Sequence, residues 1–432
     1  MRPQIEYQGE PFDPLAWRGP QPVRPRVLAD AGQDTLRKLS LLLLLLLLHA
    51  MAEGWTYMPL DPRLPSSRRE RLLRAAAAGS LLLEDGTRPV SASPVSSVAG
   101  FRLLIATSGT RGEPRLVELD RPRLEAAAEA SNHLLGLQQG DGWLLCLPLH
   151  HVAAVAVVVR CGLAGARVVV QACFDPSALL ARLARGDITH LSLVPTQLYR
   201  LLREDPAFVP PPALRVVLLG GAPAEASLVH EALARGWPVC PSYGLTEAAS
   251  QVATCHPPPA EWSPGLAGRP LSHVQVAIAE DGRIRLRGPS IAQRVIAAEG
   301  VRQLLDDEGW YTTGDLGHID SAGRLWVLGR ADEVIISGGE KVHPATVERV
   351  LQSCPGVDEV AVVGVPDSEW GERLVACYRS EISPAGLMDW AREHLAGAHR
   401  PSACLAIERL PRNALGKLLR HRLREDVQSL SQ

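Results

Sequence analysis

Thr107-Ser108-Gly109-Thr110-Arg111-Gly112-Glu113-Pro114-Arg115 follows directly on the apolar run Phe101-Arg102-Leu103-Leu104-Ile105-Ala106. An apolar run of strand length that breaks into glycines, hydroxyls and arginines has the composition of a phosphate-holding loop. Glycine lets backbone N–H groups approach oxygens closely, hydroxyls donate hydrogen bonds, and arginine neutralises charge. The spacing matches neither the GxxxxGK[ST] nucleotide loop nor the GxGxxG dinucleotide turn, which disfavours both of those mechanisms. The same residues also suit a plain surface hairpin rich in turn formers. The rest of the chain has to decide.

Outward from this segment, apolar runs of strand length recur at 102–106, 143–147, 167–171, 190–194 and 215–219. Between them lie amphipathic, helix-like stretches at 122–135, 175–184 and 224–235. Short apolar strands separated by helices predict an α/β fold with largely parallel sheets. From 274 to 330 the texture changes to short glycine-punctuated strands at 274–279, 283–287 and 325–328, which predicts a small antiparallel or barrel-like piece. After Gly329-Arg330-Ala331-Asp332 a new compact unit is expected, with helices at 344–353 and 385–395, strands at 359–365 and 373–378, and a basic tail. The expected organisation is a large N-terminal domain over 1–330 and a small α+β C-terminal domain over 331–432, with residues 1–30 an irregular arm rich in Pro and Arg. A chain of 432 residues is long enough for both. No internal repeat is visible.

Apolar content of 46% and charged content of 21% describe an ordinary globular protein, and a net charge of −2 gives no reason to expect nucleic acid or an anionic membrane as partner. The eight cysteines are scattered, with no CxxC pair and no Cys/His cluster at metal spacing. That favours reduced thiols and a cytoplasmic location. The run Leu41 to Leu48 is flanked by Arg37, Lys38, His49 and Glu53 and falls well short of the ~20 residues that span a bilayer. It also lies too far from the N-terminus for a signal peptide, so a helix buried on every side is the better reading.

Five further segments bear on chemistry. Pro241-Ser242-Tyr243-Gly244-Leu245-Thr246-Glu247 places a stacking ring, a glycine turn, a hydroxyl and a carboxylate in an order that suits a nucleotide and a magnesium ion. A packed tyrosine and a helix-start charge explain the same residues. Gly220-Gly221-Ala222-Pro223 would let backbone lie against a flat heterocycle, and Asp315, between Gly314 and Gly317, could accept from ribose hydroxyls or sit in a plain turn. The glycines of Ser337-Gly338-Gly339-Glu340 suit either a flexible joint or a tight turn. Lys417, in Leu410-Pro411-Arg412-Asn413-Ala414-Leu415-Gly416-Lys417, is a loop lysine able to stabilise developing charge, or merely a solvated one.

Taken together, the segments resemble the adenylate-forming superfamily of acyl-CoA synthetases, adenylation domains and luciferases, in order and spacing, across roughly residues 40–420. The resemblance implies an enzyme that activates a carboxylic acid with ATP and Mg2+ and passes the acyl group to a thiol such as CoA, by means of a mobile C-terminal domain. It further implies nucleotide-binding roles for Thr107, Ser108, Gly109, Thr110, Gly112, Arg115, Gly221, Tyr243, Gly244, Asp315 and Arg330. Thr246 and Glu247 take phosphate and magnesium, Asp332 is the hinge, Lys417 serves adenylation, and Gly338 and Gly339 border a pantetheine tunnel. Three positions depart from the usual pattern: Arg111 replaces a threonine, Arg115 a lysine and Leu116 a glycine. Arginine keeps the charge of lysine but not its shape.

Leu147-Pro148-Leu149-His150-His151-Val152 matches a family segment whose last histidine lies beside the acyl site, which assigns His151. Nine residues on, Arg160 interrupts an apolar run. A guanidinium there needs an anion or an exit to water, so it is either a ligand or a snorkelling side chain. Nine positions are half a turn out of phase on an ideal helix, so His151 must precede the helix if both residues face one pocket. Residues 141–170, with Ser192 and Thr196 in the segment 192–198, resemble the o-succinylbenzoate–CoA ligases of menaquinone biosynthesis. In those, an arginine at this position meets the carboxylate that is not activated. Ala153 and Ala154 depart from the residues usual after the histidine. Rival readings are a ligase for another acid, an adenylation enzyme loading a carrier protein, and a homologue that binds without catalysis. Oligomeric state, including a homodimer, is left open by the sequence.

Overall fold

The structure is a computed structural model that describes residues 4–7, 10–12, 44, 47, 48, 50–52, 56–61, 67, 70–72, 81–83, 86–88, 100–108, 114–171, 174–257, 259–297, 299–412 and 418–430. The chain divides into two compact units, residues 1–277 with 285–312 and residues 278–284 with 313–432. The second therefore takes in 278–284 and 313–330 besides the 331–432 stretch.

In the first unit, parallel strands are ordered Val239–Leu245, Val216–Leu219, His190–Leu193, Gly142–Leu145, Arg167–Val170. Gly142–Leu145, His190–Leu193 and Val216–Leu219 are buried at every position. Burial on both faces is why these strands read as continuous apolar runs rather than alternating ones. Ser250–Thr254 and Leu266–Pro270 extend one edge in antiparallel fashion, and Gln4–Tyr7 with Glu10–Phe12 extends the other. A second sheet joins Thr56–Tyr57, Arg102–Ser108, Pro114–Asp120, Arg294–Ala297 and Gly300–Gln303.

Local chemistry explains where the helices start and stop. Asp120 caps Arg121–Leu135 by accepting from the Arg123 N–H at 3.2 Å, and Gly136 ends that helix in the left-handed region at φ 66°. Asp175 caps Pro176–Leu183 in the same way, accepting from Ala178 N–H at 2.9 Å. The Val152–Ala164 helix is buried from Val152 to Gly162 except at Ala153. Its core neighbours include Trp143 and Leu145, together with Leu44, Leu47 and Ala50. Those last three are helical and buried, whereas Leu48 is helical but half-buried; the rest of the Leu41 to Leu48 run lies outside the described residues. Among the described residues no helix is long and apolar enough to cross a membrane.

In the second unit, Val357–Asp367 and Gly371–Ser380 form a long antiparallel hairpin, flanked by Ile335–Ser337 with Glu340–Val342 on one side and Ala403–Ala406 on the other. The alternation of a strand sends Val362, Leu374, Ala376 and Tyr378 to the face covered by the helices Pro344–Gln352 and Pro384–His394. Ala361, Val363, Val375 and Cys377 face the Arg420–Leu430 helix through Leu423 and Val427. Tyr311–Ile319 and Leu325–Arg330 pair antiparallel, the small antiparallel element expected before 330. All seven described cysteines are free and buried.

Candidate active site

In open α/β sheets, ligands bind beyond the carboxyl ends of the parallel strands. Here the segment carrying His151 follows Gly142–Leu145, Thr196 follows His190–Leu193, Gly221 follows Val216–Leu219, and Tyr243 and Gly244 close Val239–Leu245. Those four segments therefore gather beyond the carboxyl ends of the parallel strands. The glycine at 244 is forced by close approach, since a Cβ there would lie 2.0 Å from the Ser250 carbonyl oxygen. The ladder is irregular between Tyr243 and Gly244, and the turn that follows holds Ala249 at φ 56° and Ser250 at φ 105°. Two consecutive non-glycine residues with positive φ are uncommon, and such backbone clusters where function demands it.

Thr107 faces Arg115 across the antiparallel pair Arg102–Ser108 and Pro114–Asp120. Arg115 donates through Nε to Thr107 Oγ1 at 3.4 Å and through Nη2 to Glu247 Oε1 at 2.7 Å. Glu247 is buried in the one-turn segment Thr246–Ala248, and its carbonyl accepts from Ala292 N–H at 2.7 Å. Thus Thr107, Arg115 and Glu247, far apart in sequence, meet, with Thr246 next to Glu247 in the chain. Gly109, Thr110, Arg111, Gly112 and Lys417 lie outside the described residues, as does the side chain of Ser108. Leu116, where the superfamily usually has glycine, is fully buried against Leu72, Leu104 and Ile296. It packs beneath the strand pair and takes no part in the polar face.

Among the described residues no group of three or more His, Cys, Asp or Glu side chains is placed to hold a metal. Glu247 by itself fits magnesium, a hard cation that takes one or two carboxylates and fills its shell with phosphate oxygens and water. Only Oε1 of this carboxylate is hydrogen-bonded, to Arg115, among the described residues.

His151 is the N-cap of Val152–Ala164, which resolves the half-turn offset from Arg160. Its ring lies 4.3 Å from that of His150, whose Nε2 is 3.6 Å from Asp61 Oδ2. Arg160 is only 1% exposed. Its Nη2 donates to Gln251 Oε1 at 3.2 Å, its guanidinium lies 5.3 Å from the Trp143 ring centroid, and Nε has no partner among the described residues. Burial pulls the guanidinium pKa down to about 10, slightly offset by the neighbouring Cys161. Ser192 is buried and accepts from Trp143 Nε1 at 3.2 Å, so its hydroxyl fixes the ring beneath Arg160. Thr196 is half-buried in the first turn of Pro195–Glu204. Sequence reasoning passed over Gln251 and Trp143. The available signal was a glutamine in the strand Ser250–Thr254, whose other inner positions are apolar or small.

In the second unit, register places Asp315 opposite Arg330. Arg330 reaches Asp315 Oδ1 at 3.3 Å and grips Asp332 at 2.9 and 3.2 Å. Burial lowers the Arg330 pKa, but the Asp332 hydrogen bond and the Asp315 charge outweigh it and raise the value overall. Gly338 and Gly339 turn the hairpin between Ile335–Ser337 and Glu340–Val342 with φ of 57° and 81°. A Cβ on Gly338 would meet the Trp370 ring at 2.8 Å.

Comparison with known proteins identifies the chain as an adenylate-forming enzyme. Residues 100–295 match the AMP-binding enzyme family, and residues 346–417 match the AMP-binding enzyme C-terminal domain. The 2-succinylbenzoate–CoA ligase of Bacillus subtilis is 34% identical over 355 residues, covering 80% of this chain and 73% of the relative. That of Listeria monocytogenes is 36% identical over 321 residues, covering 74% and 68%. The structure of B. subtilis o-succinylbenzoate CoA synthetase with its acyl-adenylate intermediate superposes with a TM-score of 0.79 at 28% identity, covering 98% of this chain and 95% of that one. The same enzyme with ATP and a magnesium ion also gives 0.79 at 28% identity, with 98% and 96% covered. The chain belongs to the AMP-binding enzyme family and stands among its acid–thiol ligases.

Proposed function

We propose that the protein is an ATP-dependent 2-succinylbenzoate–CoA ligase of the cytoplasm. The observation that carries the substrate is Arg160, a fully buried guanidinium without a carboxylate partner among the described residues, on the helix capped by His151. A dicarboxylic aromatic acid supplies the missing anion: one carboxylate is activated and the other meets Arg160. The buried, unbridged cysteines favour a reducing compartment.

A carboxylate is a poor electrophile. Its oxygen attacks the α-phosphorus of ATP, the bond to pyrophosphate breaks, and an acyl-adenylate forms. The thiol of CoA, having lost its proton, then attacks the acyl carbon and AMP leaves. Thr107 and Arg115, with Ser108, Gly109, Thr110 and Gly112, hold the pyrophosphate side, and Thr246 donates to phosphate. A bound magnesium ion, held through Glu247, would offset phosphate charge. Gly221, Tyr243 and Gly244 line the adenine, Asp315 and Arg330 engage the ribose, and His151, Ser192 and Thr196 shape the acyl pocket. Lys417 stabilises charge in adenylation. Rotation of the 331–432 domain about Asp332 would then exchange Lys417 for a pantetheine path beside Gly338 and Gly339, since the two half-reactions need different groups in one site.

Pyrophosphate release measured across a panel of acids, with CoA as acceptor, tests the reading. Turnover of 2-succinylbenzoate well above that of monocarboxylic aromatic acids is expected. No turnover of 2-succinylbenzoate alongside turnover of a monocarboxylic acid would overturn the substrate, and acyl transfer to a carrier-protein thiol but not to CoA would overturn the acceptor.

A further inference from the structure

Arginines this deep normally lie against an acid, because an unpaired buried charge is strongly disfavoured. In the first unit the buried carboxylates among the described residues are Asp141 and Glu247. Both are committed elsewhere, Asp141 to Arg215 at 2.7 Å and Glu247 to Arg115 at 2.7 Å. What faces Arg160 is neutral. Gln251 presents its carbonyl oxygen, and that orientation is fixed: Oε1 also accepts from Ser131 Oγ at 2.7 Å, while Nε2 donates to Thr254 Oγ1. His273 is buried beside the Gln251 backbone, and among the described residues neither ring nitrogen has a well-formed hydrogen bond. Burial first, and the Arg160 charge second, draw its pKa down to about 4, so it too is uncharged at neutral pH.

We propose that Gln251 is the positioning residue that sets dicarboxylate specificity: its amide aims the Arg160 guanidinium without neutralising it, leaving a net positive charge for a substrate carboxylate to fill. An acid at 251 would hold Arg160 in the same place and remove that charge. Glutamate has the shape of glutamine, and the Thr254 hydroxyl can turn to donate to the new oxygen. The folded protein should therefore tolerate the change while losing the anion site. The inference rests on the reading of Arg160 given above, and it predicts that adding a buried salt bridge weakens substrate use.

The test compares wild type with Gln251→Glu, Gln251→Met and Arg160→Met in the full chain, using 2-succinylbenzoate and its mono-amide at the carboxylate that is not activated. For Gln251→Glu the KM for the diacid should rise at least tenfold more than that for the mono-amide. Arg160→Met should show the same selectivity, and Gln251→Met, which leaves the Arg160 charge uncancelled but no longer aimed, should lose part of the preference for the diacid, less than Gln251→Glu loses. A purely structural role would move both acids together. If Arg160→Met is selective and Gln251→Glu is not, the role of Gln251 falls while that of Arg160 stands. If Arg160→Met weakens both acids alike, the Arg160 reading falls and takes this one with it. Should Gln251→Glu lose turnover altogether, melting temperature decides: 2-succinylbenzoate alone should raise it in wild type and Gln251→Met but not in Gln251→Glu. An equal rise in all three overturns the proposal.

Discussion

Arg420 offers the sharpest test of how the second unit is held together. It stands just after the Lys417 segment and spans three elements. Nη2 reaches Glu348 on the Pro344–Gln352 helix at 2.8 Å, Nε reaches Glu333 at 3.0 Å, and Nη1 donates to the Val362 carbonyl at 3.0 Å. Glu348 in turn accepts from Val362 N–H at 2.6 Å. Arg420→Met would leave Glu348, only 16% exposed, without its cation. Breaking a buried pair by removing one partner costs about 3–5 kcal/mol. The Glu333 limb, with that carboxylate 31% exposed, adds less. Residual solvent access places the total near the lower bound, about 3 kcal/mol. Adding Glu348→Gln removes the orphaned charge but keeps an acceptor for Val362 N–H, so the double variant should recover about half of the loss. Urea unfolding of the full chain, with hydrogen exchange followed at the amides of 357–367, reads the second unit separately from the first. A loss below about 1 kcal/mol would show that the bridge behaves as a screened surface pair and refute the reasoning.

Three further outcomes follow from particular residues. Lys417→Ala should abolish adenylation yet spare thioester formation from supplied acyl-adenylate; an unchanged ATP-dependent rate would sink the role given to Lys417. Gly244→Ala drives a Cβ to 2.0 Å from a carbonyl oxygen. Backbone must move, with a loss of about 1–3 kcal/mol and weaker ATP binding by calorimetry, and wild-type affinity and stability would contradict it. His190 and His273 each have a pKa drawn down from 6.5 to about 4, chiefly by burial. Below pH 6.5 the unfolded chain takes up protons that these folded side chains refuse. The stability they contribute is therefore full above that pH and lost as pH falls toward 4, by about 3 kcal/mol each. His190→Gln should flatten the fall in melting temperature between pH 6.5 and 4, and an unaltered slope would show that His190 does not drive it.

The central strands were legible because burial on both faces leaves an unbroken apolar run. The stretch 190–194 falls on His190–Leu193 and 143–147 on Gly142–Leu145, with ends displaced by a residue or two. Elements with fewer apolar contacts were harder to see. Ile335–Ser337, Glu340–Val342 and Ala403–Ala406 are three or four residues long and carry too little pattern to stand out. Arg420–Leu430 reads as a basic tail because only Leu423 and Val427 of its inner face are deeply buried. The motifs around Thr107, Glu247, Asp315 and Arg330 were each visible, but the pairing of Arg115 with Glu247 spans 132 positions and emerges only from the fold. Gln251 lacked any motif. Its meaning depends on what it faces, and that is a tertiary fact.

The same dependence on partners separates the arginines of this chain into two kinds. Arg102, Arg123, Arg182, Arg235 and Arg420 have side chains no more than 18% exposed, and each meets a carboxylate. Their charges are cancelled within the fold, so their energetic role is complete without a ligand. Arg160 is buried more deeply than any of them and meets an amide, an aromatic ring and a neutral imidazole. Stability alone gives no reason to retain such a residue, since replacing a buried charge by an apolar side chain of similar volume is commonly neutral or favourable. A charge left uncancelled in the interior makes physical sense if its partner arrives from outside. For an enzyme that activates one carboxylate, the partner that best satisfies both the charge and the chemistry is a second carboxylate on the same acid.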